Sequence, residues 1–67
     1  MKHAVATYNL SGKQMYYNDS FSSAVDAYKE YKEMIENLKE HLPHGYGCNV
    51  CRLEGKNLMS METVFGK

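Results

Sequence analysis

The sequence lacks an excess of charge of either sign, because eight basic and eight acidic residues balance among its 67 positions. A protein dedicated to duplex DNA usually carries a basic excess, since contacts with phosphates dominate its affinity. A DNA mimic would carry an acidic excess instead. The balance supports neither class, and we expect no nucleic-acid partner.

A long apolar segment is also missing. No apolar run reaches the ~18 residues that a membrane-spanning helix requires. The start of the chain, Met1-Lys2-His3, is not followed by the apolar core of a secretion signal. We therefore expect a cytoplasmic protein with no membrane partner.

Cysteine is scarce, and the two cysteines, Cys48 and Cys51, are three positions apart. In an extended segment their Cα atoms would lie about 10 Å apart, beyond the limit of about 7 Å for a disulfide. We predict two reduced thiols, as is usual for the cytoplasm. The domain is small enough for its stability to be marginal, and it gains no disulfide to offset this.

Signs of catalysis are few. The five glycines stand singly, so the sequence has no glycine-rich loop for phosphate binding. A redox pair of cysteines needs a helix that begins at the first cysteine, but a strand is predicted there. We expect no enzymatic activity and no cofactor.

The pattern that is present begins with two strands. Apolar and polar residues alternate over residues 2–10, which predicts a strand, and residues 13–18 form the returning strand. Ser11-Gly12 predicts a two-residue hairpin turn. This register places Ala6 opposite Tyr17.

A long amphipathic helix is predicted next. Ser20 is the expected N-cap, and Pro43 and Gly45 are expected to end the helix. Apolar residues recur at steps of three and four along one side. These residues are Phe21, Ala24, Val25, Tyr28, Tyr31, Ile35, Leu38 and Leu42.

A second hairpin is predicted from residues 48–54 and 58–65. We expect a three-residue loop, Gly55-Lys56-Asn57, with Asn57 in the left-handed region. This loop would place Cys51 opposite Met61 and Leu53 opposite Met59.

The order of elements predicts an α+β fold, a two-layer sandwich in which one long helix covers an antiparallel four-stranded sheet, in the order β-β-α-β-β. We expect a single domain over residues 1–67. This element order, with its glycine placement, resembles small hairpin-helix-hairpin domains of bacteria and phages, many of which have no assigned function.

The two faces of the predicted sheet differ in composition. We expect the helix to cover the face with two alanines, whose small size leaves room for it: Ala4, Ala6, Tyr8, Met15, Tyr17, Cys51, Leu53, Met59, Met61 and Phe65. The uncovered face is then predicted to form an interface with another subunit or protein. Its interface residues are Val5, Thr7, Tyr16, Val50, Arg52, Leu58 and Val64.

These patterns lead to a functional hypothesis. We expect a small non-enzymatic protein-interaction module, a homodimer that acts as an accessory or inhibitory factor of the bacterial or phage type. Stacked sheets or paired edge strands would supply the missing burial. Its partners would be a second copy of itself and another protein.

Two alternatives stay open. One is a domain that binds nucleic acid or a small ligand through the uncovered sheet face and the loop from His44 to Gly47. The other is a zinc-stabilised module, because two histidines and two cysteines, the usual zinc ligands, occur within eleven residues. That set is His41, His44, Cys48 and Cys51.

Overall fold

The structure is a computed structural model that describes residues 2–67, so the first residue of the predicted domain, Met1, lies outside it. Two antiparallel hairpins form one sheet, and helix α1 contacts all four strands. The predicted two-layer α+β sandwich of order β-β-α-β-β is confirmed. The elements are β1 (His3–Asn9), β2 (Gln14–Phe21), α1 (Ala24–His41), β3 (Gly47–Glu54) and β4 (Asn57–Phe65).

The strand order in the sheet is β2-β1-β3-β4, so the first strand of each hairpin is central. β1 and β3 pair along their whole length, from His3 opposite Glu54 to Asn9 opposite Cys48. Four consecutive residues of β1, from Ala4 to Thr7, are buried. Such continuous burial fits a central strand whose small side chains lie between larger ones of the neighbouring strands.

The turn of the first hairpin differs from the predicted two-residue turn. Asn9 N donates to Lys13 O at 2.9 Å, and Gly12 has a positive φ of 90°. The Asn9 side-chain oxygen also accepts from the amides of Ser11 and Lys13, at 3.0 and 2.9 Å. The longer turn is compensated by a bulge in β2, so Ala6 still faces Tyr17, as predicted.

The turn of the second hairpin is shorter than predicted. Glu54 pairs with Asn57, and Gly55 supplies the positive φ of 63° in a two-residue turn. Among residues 2–67, only glycines have positive φ, so the prediction for Asn57 was wrong. A bulge in β4 restores the predicted pairing of Cys51 with Met61, whereas Leu53 pairs with Leu58 and not with Met59.

Helix α1 begins later than predicted because β2 continues to Phe21. Its N-cap is Ser23, whose hydroxyl accepts from Asp26 N at 3.2 Å, and not Ser20. The helix ends at His41, immediately before the Leu42 C-cap and Pro43. Pro43 terminates it as predicted, since proline cannot continue a helix.

The core lies between α1 and the face of the sheet that carries the valines. From the helix, Ala27, Tyr31 and Ile35 are buried at successive four-residue steps. Val25 and Tyr28, predicted to pack in the core, are 65% and 48% exposed because they lie to one side of this line. The sheet contributes Val5, Cys48, Val50 and Val64.

The helix therefore covers the face opposite to the predicted one. The branched valines lie beneath α1, and the face with Ala4 and Ala6 lies on the other side of the sheet. Valine fills the narrow space below a helix with little loss of side-chain freedom, and Tyr31 of the helix fills the remaining volume. Small residues in the central strands were thus a misleading sign of where the helix packs.

Candidate functional site

The residues predicted to form an exposed interface lie mostly beneath the helix. Val5 and Val50 are fully buried, Val64 is 2% exposed and Thr7 is 6% exposed. The prediction that these four form an exposed patch was wrong, because α1 occupies that face. The other three predicted interface residues, Tyr16, Arg52 and Leu58, have different positions.

Tyr16 and Arg52 flank the helix. Tyr16 Oη donates to Glu30 Oε2 at 3.2 Å and accepts from Asn18 Nδ2 at 3.3 Å. On the other side, the Arg52 guanidinium lies 5.9 Å from the centre of the Tyr28 ring, within the range of a cation–π contact. Both residues therefore serve to hold α1 on the sheet.

Leu58 lies on the opposite side of the sheet, because it pairs with Leu53 across the bulge in β4. We call this side the open face. Residues that pair across an antiparallel sheet share a face, so the register gives its members directly. They are Ala4, Ala6, Tyr8, Gln14, Tyr17, Asn49, Cys51, Leu53, Leu58, Met61, Thr63 and Phe65.

The open face is rich in large apolar side chains that are exposed. Tyr17 is 47% exposed, Met61 56% and Phe65 64%. Leu10 extends the face at one end, because its Cδ1 and Phe65 Cδ1 both lie 3.0 Å from the position of a Cβ on Gly47. Exposed apolar patches of this kind mark interaction surfaces.

The centre of the open face is closed. Ala4, Ala6 and Cys51 are at most 5% exposed, although α1 lies on the other side of the sheet. Their larger neighbours on the same face therefore cover them. The face is an even surface without a deep channel along its central strands.

A polar band crosses the open face at the level of Tyr8. Tyr8 Oη donates to Gln14 Oε1 at 3.3 Å, and Thr63 Oγ1 donates to Asn49 Oδ1 at 2.6 Å. In the part of the chain that the structure describes, no Asp, Glu, Lys or Arg occupies a paired position on this face. The paired positions of the face are uncharged, and their polar groups already satisfy one another in part.

The four candidate zinc ligands do not converge. Cys48 lies beneath α1 and Cys51 on the open face, because neighbouring positions of a strand alternate between faces. The His41 ring lies against its own helix, with Nδ1 2.8 Å from Asn37 O. Within residues 2–67, no group of three or more His, Cys, Asp and Glu side chains could hold a metal ion.

The two thiols are unbridged and buried. Burial raises the pKa of both Cys48 and Cys51 above the ordinary value of 9.0, because the surrounding protein disfavours the thiolate. A raised pKa makes a cysteine a poor nucleophile. These thiols therefore act as apolar packing groups.

The residues that reasoning from sequence missed are the large ones of the open face, above all Tyr17, Met61 and Phe65. Charge was the signal that could have identified them. The helix-covered face includes Arg52, which is half-buried, and Glu62, which is exposed beside the narrow helix. The more uniformly apolar face was therefore the one left free.

Within residues 2–67, α1 is not long and apolar enough to cross a membrane. Comparisons of the chain with models of protein families, with curated proteins and with solved structures each found no match.

Proposed function

We propose that this protein is a non-enzymatic interaction module, of accessory or inhibitory kind, that binds another protein chain through the open face. The observation that carries this proposal is the combination of several half-exposed apolar side chains with the absence of charge at the paired positions. Protein interfaces are depleted of charge at their centre and enriched in Tyr, Phe and Met.

The sheet is a suitable scaffold for such a surface. Its side chains stand on paired strands whose backbones are fixed by hydrogen bonds, so binding costs little ordering of the main chain. Tyr17 and Met61 lie at the two ends of one cross-strand row, and Phe65 lies on a second row. A partner would therefore contact a broad and pre-organised area.

Nucleic-acid binding receives less support. Tyr8 and Tyr17 on an open sheet face could stack on bases. However, single-stranded nucleic acid also needs a positively charged path for its phosphates, and the paired positions of the open face carry no Lys or Arg. We also propose the cytoplasm as the compartment, which two unbridged thiols favour.

Site-specific photo-crosslinking in the native cell tests the proposed function. A benzophenone amino acid replaces Tyr17 or Met61 on the open face, and replaces Tyr46 in a control variant. Tyr46 is 64% exposed and lies in the loop between α1 and β3. Mass spectrometry then identifies the adducts.

We expect Tyr17 and Met61 to give adducts with the same protein, and Tyr46 to give none with it. Adducts that disappear on nuclease treatment would favour the nucleic-acid alternative. Equal adducts at all three positions, or none at the open face, would contradict the proposal.

A further inference from the structure

We infer that the occupant of the open face is a second copy of this chain, stacked sheet against sheet. This inference rests on the proposed function, because it names the partner of the same surface. Four features of the open face favour this occupant: the width of its apolar area, its size, the lack of charge at its paired positions and the polar band that crosses it.

The width of the apolar area separates a sheet from a helix as the occupant. On the covered face, the edge strands beside α1 carry polar residues, such as Asn18 in β2 and Glu62 in β4. On the open face, the same strands carry Tyr17 and Met61. Apart from Gln14 and Thr63 at the two ends of the polar band, the paired edge positions of the open face are apolar, whereas those of the covered face include Asn18, Ser60 and Glu62.

A helix of about 10 Å diameter covers only half of a four-stranded sheet that is about 19 Å wide. The polar margins of the covered face match this incomplete cover. The apolar margins of the open face instead require an occupant as wide as the sheet itself. A second sheet meets this requirement, and packed sheets stack about 10 Å apart.

The size of the face is sufficient for a weak dimer. Four strands with about seven paired residues each have a footprint of about 440 Å², from the strand spacing and the rise per residue. Two copies therefore cover about 900 Å², and projecting side chains raise the buried accessible area further, towards the ~1,200 Å² at the lower end of stable interfaces. An additional apolar layer also suits a domain that buries about 60% of its surface by itself.

The lack of charge makes the face compatible with its own copy. A twofold axis sets each patch against the same patch of the partner subunit, so a charged patch would meet like charges. The nearest ion pair, Lys2 with Asp19 at 3.4 Å, joins the segment before β1 to the far end of β2, away from the polar band. Stacking two open faces therefore involves no charge repulsion at the paired positions.

The polar band is complementary to itself. Within one copy, Gln14 and Asn49 accept hydrogen bonds through their side-chain oxygens, which leaves their NH₂ groups as donors. The hydroxyl oxygens of Tyr8 and Thr63 retain capacity to accept. If the twofold axis passes through the polar band, the amide NH₂ groups of one copy can donate to the tyrosine and threonine hydroxyls of the other.

Sedimentation equilibrium of the purified chain tests the inference. The wild type should sediment with twice the chain mass of 7.7 kDa at about 100 µM and dissociate on dilution, as expected for an interface near the lower size limit. The variants Tyr17→Lys and Met61→Lys each place a charge against the partner subunit, and should weaken the dimer by about tenfold or more.

The matched control is Val25→Lys. Val25 is an apolar residue of α1 that is 65% exposed, and it does not belong to the open face. This variant should dimerise as the wild type does. Far-ultraviolet circular dichroism checks that each variant is folded. If a lysine variant is unfolded, the milder variant Met61→Gln is tested in its place.

Two outcomes would overturn the inference: a chain that stays monomeric up to millimolar concentration, or a dimer that tolerates both lysine variants. Either result leaves the proposed function testable by itself. A monomer whose Tyr17 and Met61 still cross-link to one other protein in the cell would have the proposed function with a different partner.

Discussion

The substitution Val50→Ala tests the assignment of the two faces of the sheet through the stability of the monomer. Val50 is fully buried beneath α1, in contact with the core cluster. The change removes two methyl groups, each worth about 0.8 kcal/mol of transfer free energy, and leaves a small cavity. We expect the free energy of unfolding to fall by about 2 kcal/mol.

The matched substitution is Met61→Ala on the open face. The Met61 side chain is 56% exposed, so the stability of the monomer should change by only about 0.5 kcal/mol. Both variants are unfolded by heat in dilute solution, at a concentration where the proposed dimer would be dissociated. For a domain of this size, 2 kcal/mol lowers the melting temperature by about 8–16 °C.

The comparison of the two variants decides between the faces. If Met61→Ala destabilised the monomer as much as Val50→Ala does, α1 would cover the face with Met61, and the open face would be assigned wrongly. A small effect of both would mean that the helix packs on neither face firmly.

Three further predictions concern a turn, a glycine and the response to pH. Asn9→Ala removes a side-chain acceptor for two amides of the first turn and should lower the free energy of unfolding in urea by about 1–2 kcal/mol; an unchanged midpoint would contradict this role. In Gly66→Ala, the added methyl group would overlap the carbonyl oxygen of Pro43. We therefore expect the amide hydrogen at position 66 to exchange faster than in the wild type. An unchanged exchange rate would contradict the close approach of these two segments. Burial, and then the charge of Glu62, raise the pKa of Tyr31 above 10.0. As the pH rises, the Tyr31 hydroxyl therefore keeps its proton longer in the folded state than in the unfolded state. The contribution of Tyr31 to stability is retained below pH 10.0 and falls above it. Urea unfolding of Tyr31→Phe at a series of pH values should show a shallower fall in stability above pH 10.0, and an identical slope would contradict this effect.

The elements of the fold were predictable from sequence because their signals are local. Alternation identified both hairpins, and the three- and four-residue spacing identified the helix. The errors occurred at the boundaries. Asn9 and the bulges altered the turns, and the continuation of β2 to Phe21 moved the N-cap to Ser23.

The candidate site could not be predicted in the same way, because both faces of the sheet contain apolar residues. β2 and β3 both run antiparallel to β1, so they are parallel to each other and are joined by α1. Such crossovers are almost always right-handed, and strand order together with handedness decides which face a helix covers. Neither is visible in the periodicity of residues such as Val50 and Met61.

The bulges described in the two hairpins have a consequence for how large an assembly can grow. The three register shifts all lie in edge strands, with extra residues at Met15 and at Asp19–Ser20 in β2 and at Met59 in β4. An irregular edge is a poor template for an additional strand, so sheets of neighbouring molecules are hindered from joining side by side. In the proposed dimer each chain makes contact through a single face, so association by this route would stop at two chains and would not continue into a fibre.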